Sequence, residues 1–172
     1  IFGFIAEALA AELRSDLTAD DLVGLCLRCG EVNIRCMEIL NQAHVSFFGT
    51  PEPTEVFTGR KEGPAIVVSG HDLLMFDRLL EQADEAGVNV YTHGEMLPAH
   101  GYPKLKAHPS LAGHFGTAWQ NQQREFDGEP VAFVFNTNCI QEPRPSYADR
   151  VFTTSLVGWP GAQHIGGVDF AE

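Results

Sequence analysis

Residues 65–95, AIVVSGHDLLMFDRLLEQADEAGVNVYTHGE, constrain the fold more than any other stretch, because strand and helix patterns alternate within them. Residues 65–68 are continuously apolar, as in a strand that is buried on both faces. Apolar side chains then recur at helical spacing over residues 73–86, and Asp72 stands where a helix N-cap is needed. Residues 88–92 are again β-prone. The pattern predicts a right-handed βαβ unit with two parallel strands.

Each apolar run in this part of the chain is followed by a side chain that can bind a metal. His71 follows the first predicted strand, Glu95 follows the second, and Cys139 follows a third apolar run at 131–135. If the third strand is parallel to the others, all three residues lie at the edge where open α/β sheets usually bind ligands. Nitrogen, oxygen and sulfur donors together suit iron or zinc better than magnesium or calcium. The sequence therefore predicts a metal site formed by these residues.

Six short segments, spread in order over nearly the whole chain, carry a resemblance to a known family. They are CGEVN (29–33), PEPTEV (51–56), VSGHDL (68–73), YTHGEMLPAHGYP (91–103), NTNCIQ (136–141) and FTTSLVGWPG (152–161). These segments closely resemble the hybrid cluster proteins, which are also called prismane proteins or hydroxylamine reductases.

The resemblance implies an oxidoreductase that contains a hybrid iron–sulfur–oxygen cluster. By their positions in SGHD, HGEM and TNCI, the residues His71, Glu95 and Cys139 match ligands of that cluster, and His71 and Glu95 are also the implied catalytic residues. The implied substrate is a small nitrogen compound: hydroxylamine, which is reduced to ammonia, or nitric oxide in some members. An electron donor is an implied partner.

The family's remaining ligands are missing from these 172 residues. In the family, further cysteines and another glutamate come from a later part of the chain, and a second cluster sits on a cysteine motif near the start. We therefore expect this chain to be a middle segment of a longer enzyme, whose remaining domains are its partners. The isolated fragment is expected to lack the hybrid cluster and to be inactive.

Two alternatives remain open from the sequence. The first is a stand-alone Rossmann-like module that binds zinc, either in the same crevice or through Cys26, Cys29 and Cys36 on a predicted helix. Core packing is the favoured role of these three cysteines, because they fall on one apolar stripe of the helix. The second alternative is a domain similar to carbon monoxide dehydrogenase. The chain has no G-x-G-x-x-G or Walker motif, which argues against nucleotide binding.

The charge of the chain opposes two classes of partner. A formal net charge of −12 does not suit binding to nucleic acid or to an anionic membrane, since both need clustered Lys and Arg. The sequence contains no apolar run of transmembrane length and no recognisable signal peptide. Four cysteines without the spacing of a small disulfide-rich domain predict reduced thiols, so we expect a cytoplasmic location.

The predicted fold class is α/β: a three-layer Rossmann-like domain with a mainly parallel sheet, preceded by a helical hairpin. Residues 1–60 are the predicted helical lead-in with its connecting loop, and residues 61–172 are the predicted cluster-ligand domain. The remaining predicted elements are helices at 2–13, 18–43 and 116–126, irregular chain with short helical turns at 98–109, a fourth strand at 150–154 and the start of a fifth within 164–172. Trp119 and Phe126 are predicted to face inward. His93 and His100 flank Glu95, where they are expected either to support the site or to have a structural role.

Overall fold

The computed structural model describes residues 1–167 and divides the chain into two compact units, Ile1–Phe47 and Phe48–Glu172. The first unit consists of two helices, α1 (Phe2–Ala11) and most of α2 (Ala19–Phe48). Within the described residues, no helix combines the length and the apolar character needed to cross a membrane. The boundary placed between residues 60 and 61 stays a prediction.

A reciprocal pair of hydrogen bonds between Thr18 and Asp21 caps the start of α2. The backbone N–H of Thr18 donates to the Asp21 carboxylate over 2.9 Å, and the backbone N–H of Asp21 donates to the Thr18 hydroxyl over 3.2 Å. This reciprocal pair satisfies N–H groups that have no partner within the helix. The helix runs five residues beyond the predicted end at residue 43, and Gly49, with φ +87°, follows it.

The predicted burial of the cysteine stripe on α2 is wrong for the described structure. Cys26 and Cys29 are exposed, as are Leu22, Ile39 and Leu40, and Cys36 is half-buried. Cys26 and Cys29 line an open groove with Phe4 of α1 and stay exposed there, because one helix does not enclose the stripe. Further along, the ten residues of α1 extend over only about 15 Å, whereas the thirty residues of α2 extend over about 45 Å. The first helix therefore covers only part of the apolar stripe.

The second unit is built on one sheet whose strands are all parallel. Its strands are β1 (Ala65–Ser69), β2 (Asn89–His93), β3 (Leu111–Phe115), β4 (Ala132–Phe135), β5 (Val151–Thr154) and β6 (Gln163–Ile165). Its helices are α3 (Leu73–Ala86), α4 (Pro103–Lys106) and α5 (Gln122–Glu125), with 3₁₀ helices at Gly94–Gly101, Trp119–Asn121 and Ala148–Arg150. The strand order is β3-β2-β1-β4-β5-β6. This is the doubly wound Rossmann-like order, in which the direction of winding reverses between β1 and β4.

Alternating residues of the central strands pack into two apolar cores, one on each face of the sheet. Val68, Val90 and Val134 join the core under α3. Val67 and Tyr91 join an aromatic core in which Phe126 stacks on Phe133 at a ring distance of 4.0 Å. The helix-covered sheet confirms the predicted fold class, and its parallel strands confirm the predicted βαβ unit.

Three local predictions differ from the structure. Strand β3 was not predicted, because Leu111-Ala-Gly-His-Phe has a central glycine and little apolar alternation. The predicted helix at 116–126 is limited to short turns over 119–125; Phe126 is buried, but Trp119 is 41% exposed. The last strand, β6, is the sixth rather than the fifth, and residues 168–172 lie outside the described part of the chain.

We expect substitution of Gly113 by alanine to destabilise the second unit by about 1–3 kcal/mol or more. A methyl group at this position of β3 would overlap the backbone carbonyl of Phe57, which also accepts the His114 N–H at 2.8 Å. Backbone atoms cannot rotate away as a side chain could. Urea unfolding checks this expectation, with Gly158→Ala as the control because no atom lies within 4 Å of a methyl group there. Equal stabilities of the two variants would contradict the prediction, because β3 would then accommodate the methyl group at little cost in free energy.

Candidate metal centre

His71 is held in a tight loop between β1 and α3. Gly70, just before it, has φ +135°, and a methyl group there would overlap the side-chain oxygen of Asn136 and lie 2.8 Å from the backbone nitrogen of Thr137. Glycine is therefore required at this position. Asp72 caps α3 by accepting the backbone N–H of Met75 over 3.0 Å. His71 thus leaves the sheet directly above the end of β1.

Glu95 lies in the 3₁₀ helix that follows β2. Gly94 precedes it with φ +57°, and a methyl group at Gly94 would lie 3.4 Å from the backbone nitrogen of Trp119. The chain therefore turns sharply at the end of the strand, which directs residue 95 back across the sheet edge. The Glu95 side chain is 59% exposed.

Cys139 lies in the loop after β4, in a backbone conformation that residues with a side chain rarely adopt. Its φ is +62°, in the left-handed region. Such a conformation costs roughly 1–3 kcal/mol and is typically found at functional sites. The residue is half-buried.

The structure brings the three predicted residues together at the carboxyl edge of the sheet. His71 Nε2 lies 3.1 Å from Glu95 Oε2, and the Cys139 thiol donates to the same oxygen over 3.3 Å. One candidate ligand atom from each residue lies within 4.8 Å of the other two. Within the described residues, this is the one group of three or more such donors that lies close enough to hold an ion, so the cysteines of α2 do not form a second. Two donor atoms that each lie about 2.0–2.3 Å from one ion are also separated by less than this distance.

Neighbouring groups orient these donors. The other ring nitrogen of His71, Nδ1, lies 2.9 Å from the Thr137 hydroxyl, which leaves Nε2 directed at Glu95. A second hydrogen bond of this kind is the usual way in which proteins fix a metal-binding imidazole. On the far side of the same edge, the Ser155 hydroxyl donates to Asp72 over 2.8 Å and joins the loop after β5 to the loop after β1.

The surroundings of Cys139 keep its thiol protonated. Burial, together with the hydrogen bond to Glu95 and its negative charge, raises the pKa of the Cys139 thiol to about 11. The thiol is therefore protonated at neutral pH when no positive charge is near it. A bound cation reverses this preference, because a coordinated thiol loses its proton. Binding of a metal ion by Cys139 would therefore release a proton.

His93 and His100 are held by other partners. The buried His93 ring lies between Ser69 Oγ and Glu125 Oε2, each at 3.2 Å, and burial lowers its pKa despite the opposing effect of Glu125. His100 Nε2 lies 2.9 Å from the Thr92 hydroxyl. Neither ring belongs to the group of three donors. A role in the packing beneath the site fits their contacts.

His114 gives this region a pH dependence that can be measured. Its Nδ1 lies 2.8 Å from the Thr92 hydroxyl, and burial lowers its pKa to about 4, with the rings of His93 and His100 acting in the same direction and Glu125 against it. The unfolded chain takes up a proton near pH 6.5, whereas the folded chain resists until about pH 4. The stabilisation is therefore complete above pH 6.5 and is lost as the pH falls towards 4.

The free energy of unfolding should fall between neutral pH and pH 4, and in His114→Asn this fall should be smaller by up to about 3 kcal/mol than in the unaltered chain. Urea unfolding across that range gives the free energy of unfolding at each pH. His164→Asn is the matched control, since its ring also meets a threonine hydroxyl, Thr153, but the residue is exposed on the edge strand β6. A parallel pH profile for His114→Asn and the unaltered chain would contradict the expectation.

Sequence reasoning found the three donors but not all of the residues that hold them. Gln122, on α5, hydrogen-bonds to the loop of Cys139, and no motif pointed to it. Asn136 lies in the segment NTNCIQ, but the hydrogen bond that its side chain accepts from the backbone N–H of His71 was not predicted. Neither interaction has a signal in the local sequence, because each depends on which strands become neighbours.

Comparison with known proteins identifies the family. The chain matches the Prismane/CO dehydrogenase family over residues 1–172. It is 52% identical over 171 residues to a hydroxylamine reductase of Syntrophobacter fumaroxidans, covering 99% of this chain and 32% of that protein. It is 54% identical to one of Kosmotoga olearia, covering 96% of this chain and 30% of that protein, and 52% identical to one of Geobacter metallireducens, covering 100% and 31%. The chain thus spans about a third of the length of these relatives. The match along its whole length shows that this chain belongs to the Prismane/CO dehydrogenase family.

Proposed function

We propose that this chain is the part of a hydroxylamine reductase that supplies His71, Glu95 and Cys139 to a hybrid iron–sulfur–oxygen cluster. The observation that carries the proposal is the meeting of these side chains within 4.8 Å at the sheet edge. Relatives at 51–55% identity that carry the name hydroxylamine reductase support it. Because those relatives are about three times as long, the remaining domains and an electron donor are further proposed partners.

The residues present fit such a cluster. A cysteine sulfur, an imidazole and a carboxylate are donors that iron accepts, and coordination to iron would remove the proton that Cys139, with its raised pKa, otherwise keeps. The His71 and Glu95 side chains are 44% and 59% exposed. They are therefore open on one side, where further ligands from another part of a longer protein can approach.

In this proposal the bound cluster supplies electrons and open iron positions for the nitrogen substrate. Hydroxylamine is reduced as its N–O bond breaks, electrons and protons are added, and ammonia and water leave. Glu95 has one oxygen, Oε2, that both His71 and Cys139 contact, so its carboxylate can hold an iron or accept a proton at that atom. The hydrogen bond from Thr137 keeps the His71 ring turned towards this point.

The experiment uses the full-length protein that contains this chain, purified without oxygen. We expect iron, acid-labile sulfide and oxidation of a reduced viologen dye that depends on hydroxylamine. Carbon monoxide with the oxidised dye tests the other activity in the family's name, because oxidation of carbon monoxide would reduce the dye. A protein with zinc and no sulfide would favour the single-metal module, and dye reduction by carbon monoxide without hydroxylamine turnover would replace the proposed substrate.

A further inference from the structure

Two buried side-chain amides hold the loops that carry His71 and Cys139. Asn136 and Gln122 are each 1% exposed, and neither residue is among the candidate metal donors. Their hydrogen bonds run mainly to the backbone of the two donor-bearing loops. We infer that Asn136 and Gln122 are positioning residues that set His71 and Cys139 in a metal-binding geometry before any metal is bound. This inference rests on the proposed function, because it takes the two donors to be metal ligands.

Asn136 joins the loop after β4 to the loop after β1. Its side-chain oxygen accepts the backbone N–H groups of His71 over 3.0 Å and of Asp72 over 3.3 Å, and its NH₂ group donates to the Asp72 carbonyl over 2.9 Å. The amide occupies space that a side chain at Gly70 would need. One residue of the Cys139 loop therefore fixes the backbone from which the His71 ring extends.

Gln122 brackets Cys139 from outside the donor loops. Its NH₂ group donates to the carbonyl of Cys139 and, over 2.7 Å, to that of Trp119, while its oxygen accepts the Gln141 N–H over 2.9 Å. The bonds thus reach Cys139 itself and the residue two positions after it. Cys139 has φ +62°, a conformation that an unrestrained loop would leave.

A general role in satisfying buried polar groups would account for some of these bonds but not for their location. One bond of Gln122 reaches the carbonyl of Cys139, and another reaches the same loop two residues later. One bond of Asn136 reaches the N–H of His71, and two hold the adjacent Asp72. Groups that orient metal ligands typically contribute about 10- to 100-fold to metal affinity. Positioning therefore predicts a loss of affinity that exceeds any loss of fold stability.

The test is a Co²⁺ titration of this chain without oxygen, in a background where Cys26, Cys29 and Cys36 are alanine so that Cys139 is the one thiol. Gln122→Met keeps the side-chain volume and removes all three hydrogen bonds. We expect it to weaken Co²⁺ binding about 10- to 100-fold and to reduce the thiolate-to-cobalt absorption band. Gln123→Met is the matched control, since Gln123 on the same helix also bonds a loop carbonyl, that of Glu142 over 2.8 Å. It should bind Co²⁺ like the unaltered background.

A second variant and its control test the role of Asn136. Asn136→Ala should weaken Co²⁺ binding, whereas Asn138→Ala, at an exposed neighbouring residue, should not. Amide hydrogen exchange gives a readout without metal, because Gln122→Met should expose the Gln141 N–H to exchange while the amides of β4 stay protected. If Gln122→Met does not fold, Gln122→Asn replaces it, since it keeps a neutral amide but is one methylene too short to make the same bond to the Cys139 carbonyl.

The outcomes separate the two proposals. Loss of the cobalt band in Cys139→Ala, together with weak binding by the Gln122 and Asn136 variants and normal binding by their controls, supports the inference. Loss of the band in Cys139→Ala with normal binding by Gln122→Met and Asn136→Ala would overturn the positioning role and leave the metal site standing. Unchanged Co²⁺ binding in Cys139→Ala, or none in the background chain, would overturn the metal site and the inference with it.

Discussion

Replacement of Glu95 by glutamine in the full-length protein is expected to lower hydroxylamine turnover by more than about 100-fold while the fold is kept. Residues that merely orient metal ligands contribute about 10- to 100-fold, and a ligand should contribute at least as much. Glutamine has nearly the same shape, but a neutral amide is a poorer ligand for iron than a carboxylate. The effect should therefore arise at the metal and not in the packing, since the side chain is 59% exposed.

The position of Glu95 makes this the most informative single change at the site. Its Oε2 atom is the one that both His71 Nε2 and the Cys139 thiol contact. Iron content, sulfide content and the visible spectrum should change along with turnover. Glu85→Gln, at an exposed glutamate near the end of α3, is the control and should match the unaltered enzyme. Normal turnover and an unchanged spectrum in Glu95→Gln would exclude Glu95 as a ligand.

The sheet was predictable where the sequence pattern is strong and local. The apolar runs of β1, β2 and β4 and the cap at Asp72 depend on neighbouring residues alone, and each was found. Strand β3 was missed because its stability comes from outside the strand. The backbone N–H of His114 donates to the Phe57 carbonyl, 57 residues earlier in the chain, and Ala112 joins a core with residues of other strands. Long-range partners of this kind leave no local pattern.

The donors of the site were predictable for a different reason. Parallel strands all end at one edge, so a residue that follows a strand can be placed without knowledge of the strand order. The order β2-β1-β4 then makes the loops of Glu95, His71 and Cys139 neighbours. Gln122 could not be found in this way, because its contact with Cys139 depends on a short helix whose position follows from the aromatic core around Phe126.

In the helical unit, the helices were predictable from the sequence but the burial of their side chains was not. The apolar spacing on α2 was read correctly, but spacing alone cannot say what covers an apolar stripe. Cys26, Cys29, Leu22 and Leu40 are exposed in the structure, although their arrangement is typical of a packed surface. The relatives are about three times as long as this chain, and a helix in a longer protein can pack on segments that these residues do not include.

The last prediction is that this chain, produced alone and without oxygen, folds but contains no acid-labile sulfide and does not reduce hydroxylamine. The fold should form because both cores of the sheet are buried without any metal: Phe76, Leu80 and Val90 on one face and Phe133 on the other are each 0% exposed. The site, in contrast, has one cysteine, and iron–sulfur clusters depend chiefly on cysteine sulfur. His71, Glu95 and Cys139 can together hold a single ion, but they cannot surround several irons and their bridging sulfides.

Circular dichroism, iron and sulfide analysis, and a visible spectrum of the purified chain decide the matter, with the full-length protein prepared in parallel as the positive control. We expect a colourless protein with a cooperative unfolding transition. Addition of ferrous iron and sulfide to the unfolded and refolded chain tests whether a cluster was merely lost during purification. A brown protein with several irons per chain and matching sulfide would mean that these three donors, with no others, are enough to assemble a cluster.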